Sequence, residues 1–136
     1  MKSLNACSKP VVLVIDDEDL IRNVLRMALP SGGFDVVLAS TGKQSLEIFL
    51  RRQDAIAAVL LDVRMPEMNG VEVFRRLREI DQQVPICFMT GYSADEIRSE
   101  LSGLSEVTVL RKPFSLANLF EILHELTQAR LALAGV

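Results

Sequence analysis

Apolar residues alternate between two rhythms along this chain. Five short runs are almost wholly apolar: Val11–Ile15, Phe34–Ala39, Ala57–Leu61, Ile86–Met89 and Val107–Leu110. Such a run, flanked by loop signals, reads as a strand buried on both faces. Asp35 interrupts the second run, which places that strand at a sheet edge. Between the runs, apolar residues recur at helical spacing. The first helix carries Leu20, Ile21, Val24, Leu25 and Ala28 and is stopped by Pro30 and Gly32-Gly33. Ser40-Thr41-Gly42 opens a second, with Leu46, Phe49 and Leu50 inward. Gly70 opens a third, with Val73, Phe74, Leu77 and Ile80 inward. A fourth, about residues 93–103, has a thin stripe of Ala94, Ile97, Leu101 and Leu104. The last, about 115–131, buries Leu116, Leu119, Phe120, Leu123 and Leu126.

Strand and helix thus alternate five times. Right-handed crossovers turn that pattern into an α/β fold: a five-stranded parallel sheet with helices on both faces. The second and fifth runs are the least apolar, so they are the edges. The expected order is 2-1-3-4-5, that of a flavodoxin-like, doubly wound (βα)5 sheet. In such a sheet, ligands meet the C-terminal ends of the strands.

At 136 residues the chain reads as one domain, residues 10–131, between an N-terminal tail (1–9) and a short C-terminal tail (132–136). The net charge of −3 supports neither a nucleic-acid nor an anionic-membrane partner. Cys7 and Cys87 are far apart and suggest no disulfide framework or metal-ligand spacing, which fits a reducing cytoplasm. The N-terminus lacks the apolar core of a signal peptide, and no apolar stretch approaches the ~18 residues of a membrane span.

Chemistry gathers at the strand ends. Asp16, Asp17, Glu18 and Asp19 follow the first strand, Asp62 the third, Thr90 the fourth, and Lys112-Pro113 the fifth. The order brings strands one and three side by side, so Asp16, Asp17 and Asp62 converge. Carboxylates this close are stable as anions only with a cation present. An oxygen-only set suits Mg²⁺, with Mn²⁺ as a substitute. Each residue also has a plainer reading. Asp62 could cap the next loop, and the acidic run could complement a helix dipole, a role that suits Glu18 and Asp19. Lys112 could merely neutralise the carboxylates, and Thr90 could be an ordinary strand end. Taken together, a nucleophilic carboxylate, a metal site, a cation for phosphate oxygens and a hydroxyl are what is needed to form an aspartyl phosphate. No Gly-rich phosphate loop is present, so a nucleotide is not the obvious donor.

Four motifs, V-V-L-V-I-D-D-E at 11–18, L-L-D-V-R-M-P-E-M-N-G at 60–70, M-T-G-Y-S at 89–93 and L-R-K-P-F at 110–114, occur in order. With them the chain resembles the receiver domain of two-component response regulators over about residues 10–130. The resemblance implies that Asp62 is the phosphoacceptor and that Asp17 and Asp62 hold Mg²⁺. It implies that Asp16 assists through water and that the Arg64 carbonyl completes the protein ligands. It further implies that Lys112 contacts the phosphoryl group, that Thr90 moves to hydrogen-bond it, and that the Lys112-Pro113 peptide is cis. The donor would be the phosphohistidine of a sensor histidine kinase or histidine phosphotransfer protein. The output would be a change in the helix-four, strand-five and helix-five face, read by a protein partner or by homodimerisation. Such a domain is not an enzyme acting on external substrates; it catalyses only its own phosphorylation and slow dephosphorylation.

Two departures stand out. Val109 occupies a position where the family often carries a switching aromatic. Arg64 and Tyr92, two residues beyond Asp62 and Thr90, are expected to flank the phosphoryl group and slow its hydrolysis. Because little chain follows the last helix, the expectation is a stand-alone receiver, with a receiver cut from a larger regulator or hybrid kinase as the alternative. A phosphatase-like hydrolase would want an acid where Arg64 stands. A flavin binder would want aromatics and a phosphate loop. A phosphorylation-independent interaction module would not need the acidic site.

Overall fold

A computed structural model describes residues 9–104 and 107–133, with side chains throughout except at 94–96 and 133. Residues 1–8 of the expected N-terminal tail, with Cys7, and residues 134–136 of the expected C-terminal tail lie outside the described residues. The elements are β1 (Val11–Ile15), α1 (Asp19–Ala28), β2 (Asp35–Ala39), α2 (Gly42–Arg52), β3 (Ile56–Asp62), α3 (Gly70–Ile80), β4 (Ile86–Thr90), α4 (Ala94–Leu101), β5 (Thr108–Arg111) and α5 (Leu116–Leu133). A 3-10 turn, Leu29–Gly32, follows α1 and ends at Gly33, whose φ of 97° is left-handed.

All pairings are parallel and the order is β2-β1-β3-β4-β5, as the pattern predicts. Strand residues alternate between two cores. Leu13, Ile15, Val59, Leu61 and Phe88 pack with Phe49 of α2, Phe74 and Leu77 of α3, and Ile97 of α4. Val12, Val14, Ala58, Leu60, Cys87 and Met89 pack with Leu25 of α1 and with Leu119 and Leu123 of α5. This two-sided burial is why the runs are continuously apolar rather than alternating. The Cys87 thiol, buried in the second core, is pushed up to about 12 by that burial and is unreactive.

Several helix faces differ from the expected ones. Leu20 is 71% exposed and Leu50 61%, and Val24 and Leu116 are also exposed. In α1 the buried side runs through Leu25 and on to Leu29, and a neighbour one residue back stands about 100° around the helix. Apolar identity at adjacent positions therefore could not say which one faces in. The helix α5 continues to Leu133, so residues 132–133 are helical rather than tail. Strand β5 sits one residue later than expected, with Val109 exposed at the sheet edge. Asp62 is the last residue of β3 rather than the first of the loop.

At the N-terminal end of the sheet, Asp81 closes α3. Its carboxylate accepts from Arg130 of α5 at 2.6 Å and from the backbone of Gln83 and Val84. Burial alone would raise the Asp81 carboxyl, but these donors hold it below the usual carboxylate range. The pair ties α5 to the α3–β4 turn and is remote from the strand ends that carry the chemistry.

Candidate functional site

Continued ladder contacts place the candidate residues. Asp16 follows β1 and its backbone N–H donates to the Ala39 carbonyl at 3.1 Å. Asp62 lies in register with Met89, and the next N–H, of Val63, donates to the Met89 carbonyl. Thr90 ends β4 opposite Arg111, and the Lys112 N–H donates to the Thr90 carbonyl at 2.6 Å. The same regular pairing that builds the sheet therefore delivers Asp16, Asp62, Thr90 and Lys112 to one edge. The Lys112-Pro113 peptide is cis, as the resemblance implied.

Carboxylate oxygens of Asp16, Asp17 and Asp62 all lie within 4.8 Å of one another. Asp16 and Asp62 are buried and Asp17 is exposed, so the cluster has a wet side. Lys112 Nζ donates to Asp16 Oδ2 at 2.8 Å and to Glu18 Oε1 at 3.0 Å, and lies 3.5 Å from Asp62 Oδ1. Glu18 is thus part of the ion network. The sequence suggested only a helix-dipole role for it; it stands at the cap of α1 but makes no side-chain cap hydrogen bond. Arg22 donates to the Asp16 carbonyl at 2.7 Å and pairs with Asp19, holding the β1–α1 loop.

The charges act unequally on the site. Asp62 is pushed up to about 7, first by burial and then by the Asp16 charge, with Lys112 opposing. Burial would lower Lys112, but hydrogen bonds to Asp16 and Glu18 and the nearby carboxylates raise it above its ordinary value. Lys112 is therefore a permanent cation, whereas Asp62 without metal is half-protonated near neutral pH.

A folded pKa above the unfolded one means that Asp62 favours folding at low pH, and that contribution is lost between about 3.8 and about 7. The shift amounts to about 4 kcal/mol at most. In chelator, Asp62→Asn is expected to melt close to wild type at about pH 3.5, below the unfolded value, and well above it at pH 8. Thermal denaturation at both pH values checks this. An equal offset at both would refute the buried-carboxylate account.

Around the cluster, Asp17, Glu18, Asp62, Arg64, Gly91, Tyr92 and Lys112 line an open pocket of about 390 Å³. Thr90 is buried at its margin, and its Oγ1 accepts from the Tyr92 N–H at 3.0 Å. Arg64 and Tyr92 both reach the pocket, and the guanidinium lies 4.4 Å from the Tyr92 ring centroid. Val109, exposed on β5, is not among the pocket-lining residues.

The β3–α3 loop is held close beneath the site. The Gly70 N–H donates to the Val63 carbonyl at 2.7 Å, and Asn69 caps α3 by accepting from the Glu72 N–H at 3.1 Å. Glu67 takes a left-handed conformation with φ 69°. Sequence reasoning missed this residue because no Gly or Asn marks the turn there.

An oxygen-only donor set with a solvent-facing side fits a hard divalent cation. Among the described residues no helix is long and apolar enough to cross a membrane.

Comparison with known proteins points the same way. The sequence model of the response regulator receiver domain matches residues 12–124. The regulatory protein AtoC of Escherichia coli (strain K12) is 32% identical over 117 residues, 86% of this chain and 25% of that protein. The sensor kinase CckA of Brucella abortus (strain 2308) is 32% identical over 127 residues, 93% of this chain and 13% of that protein. The chain therefore spans a quarter or less of the length of these two relatives. Among solved structures, a response regulator receiver domain protein from Clostridium thermocellum superposes with a TM-score of 0.83 at 25% identity, covering 90% of this chain and 98% of that one.

Proposed function

We propose, since the chain belongs to the response regulator receiver domain family of phosphoacceptor signalling domains, that Asp62 is the side chain that takes the phosphoryl group. The observation that carries this is the convergence of three carboxylates within 4.8 Å, with Lys112 Nζ 3.5 Å from the Asp62 oxygen. In the transfer, an ionised Asp62 Oδ attacks phosphorus in line as the phosphorus–nitrogen bond of a phosphohistidine breaks. The electron pair leaves on the imidazole nitrogen, which takes a proton from solvent.

Asp16, Asp17, Asp62 and the Arg64 carbonyl would hold Mg²⁺, or Mn²⁺ in its place, with Asp16 acting through water. The metal would supply charge neutralisation and polarise the phosphoryl oxygens. Lys112 exchanges part of its pairing with Asp16 and Glu18 for a phosphoryl oxygen. Thr90, an acceptor toward Tyr92 in this structure, keeps its hydroxyl proton free to donate to that group.

The receiver unit spans residue 10 to the end of α5. The donor would be a sensor histidine kinase or a histidine phosphotransfer protein. The exposed apolar residues Leu20, Val24 and Met27 run along α1 from the pocket rim and support that helix as the donor's resting surface. The modified form would be read by a protein partner, or by a second copy, at the α4-β5-α5 face.

Intact mass after incubation with acetyl phosphate tests the reading. With Mg²⁺ the chain is expected to gain one phosphoryl group, and with chelator none. Lack of any adduct, together with no beryllofluoride binding, would overturn it.

Arg64 and Tyr92 form a stacked wall on the pocket and shield the phosphoryl group from water. Arg64→Ala and Tyr92→Ala are each expected to speed loss of the phosphoryl group about threefold or more, worth ~0.7 kcal/mol of barrier. Unchanged decay of the adduct in both variants would remove the shielding role.

A further inference from the structure

Arg64 carries a second contact that the acceptor chemistry does not use. From the β3–α3 loop its guanidinium donates to Glu100 Oε1 of α4 at 2.6 Å while resting on the Tyr92 ring. The same side chain lines the pocket that holds Asp62 and Lys112. One cation thus stands within reach of two anionic partners, a carboxylate on α4 and whatever Asp62 carries.

Among the described side chains, the helix it ties down buries only a short apolar stripe. Ile97 is buried, but Leu101 and Leu104 are only partly so. The Arg64 and Glu100 side chains are 47% and 31% exposed. Solvent-screened pairs of this kind alter an equilibrium by only about 1.5- to fivefold. A phosphoryl group brings nearly two negative charges and three acceptor oxygens, and a guanidinium can pair with it bidentately. In competition the phosphoryl group wins.

Resting on Asp62 as the acceptor, we infer that Arg64 is a two-position latch. It holds α4 through Glu100 while Asp62 is bare, and turns onto the phosphoryl oxygens when Asp62 is modified, releasing Glu100 and with it α4. Tyr92 is the platform on which the guanidinium pivots. The coupling needs no swinging aromatic, and β5 offers only Val109 at the place where one would stand.

Beryllofluoride with Mg²⁺, a stand-in for the phosphoryl group, reads the latch on the full chain. Glu100→Gln is expected to tighten its binding about two- to fivefold, because the competing partner is gone. Arg64→Ala, which keeps the backbone carbonyl, is expected to weaken binding. In the Arg64→Ala background, Glu100→Gln is expected to have no effect, a non-additivity that a general change in field would not produce. The methyl resonances of Ile97 in the unliganded Glu100→Gln chain are expected to move toward their liganded positions.

Equal tightening by Glu100→Gln in both backgrounds would assign the effect to net charge and overturn the latch. So would wild-type affinity in Arg64→Ala. Binding that is lost in Asp62→Ala but indifferent to Glu100→Gln overturns the latch alone. Absence of binding in wild type overturns the latch and the Asp62 reading together.

Discussion

Asp62→Asn is expected to abolish phosphoryl acceptance from acetyl phosphate at any pH, leaving the protein folded. The carboxamide fills the same volume but is not a nucleophile toward phosphorus, so the loss is complete rather than graded. The neighbouring carboxylates do not substitute. Asp16 is buried, and its Oδ1 and Oδ2 are engaged by the Glu18 N–H and Lys112 Nζ. Asp17 is exposed at the wet side of the cluster, without the burial that surrounds Asp62. Neutralising Asp62 also removes the charge that burial and Asp16 disfavour, so the variant should be at least as stable as wild type above neutral pH. The paired outcome, a more stable and wholly inactive protein, separates a nucleophile from a structural carboxylate. Intact mass together with a melting curve measures both. An adduct of undiminished yield in Asp62→Asn would place the acceptor elsewhere.

Gly70→Ala is expected to cost about 3 kcal/mol and to cripple the pocket as well. A Cβ at Gly70 would stand 2.2 Å from the Asp62 carbonyl oxygen and 2.9 Å from Val63 Cα. Both are backbone atoms of the strand end that carries the acceptor, so no side chain can turn away to make room. Either α3 moves out or the end of β3 moves, and the second displaces Asp62 itself. Against a total stability of about 5–15 kcal/mol the loss is severe. Gly91→Ala serves as the control. It lines the same pocket, but a Cβ there meets nothing within 4 Å, and its stability is expected to stay within about 0.5 kcal/mol of wild type. Chemical denaturation of the two variants side by side checks the contrast. Equal stability of both would show that the β3–α3 junction yields without cost.

Much of this was legible before any coordinates. The apolar runs gave the strands because a sheet covered on both faces is apolar at nearly every position of its central strands, whatever the register. The interrupted runs gave the edges, and the order of strands then followed. That order alone places Asp16, Asp17 and Asp62 beside one another, since strand ends at one edge of a parallel sheet are neighbours by construction. The four motifs carried the family, which the comparison with known receiver domains bears out.

Less was legible wherever a choice turned on a rotation or on a partner distant in sequence. Leu20 and Val24 match Leu25 in hydrophobicity, and only the docking angle of α1 decides that Leu25 faces in. Glu18 carries the same charge wherever it points. Lys112, 94 residues away, draws it into the site. The pairing of Arg64 with Glu100, 36 residues apart on a loop and a helix, left no periodic trace in the sequence. Asp62 shows the division most clearly. Its position at the end of a buried strand is a local property of an apolar run followed by a polar residue. Its pKa of about 7 is not, because that value arises from desolvation by the packed core and from Asp16, held 46 residues away along the chain. The sequence by itself determined which residues reach the working edge, because periodicity and strand order are one-dimensional facts. The tertiary structure decided their charge state, their partners and the close approach at Gly70, because those depend on distances that only the packed chain defines.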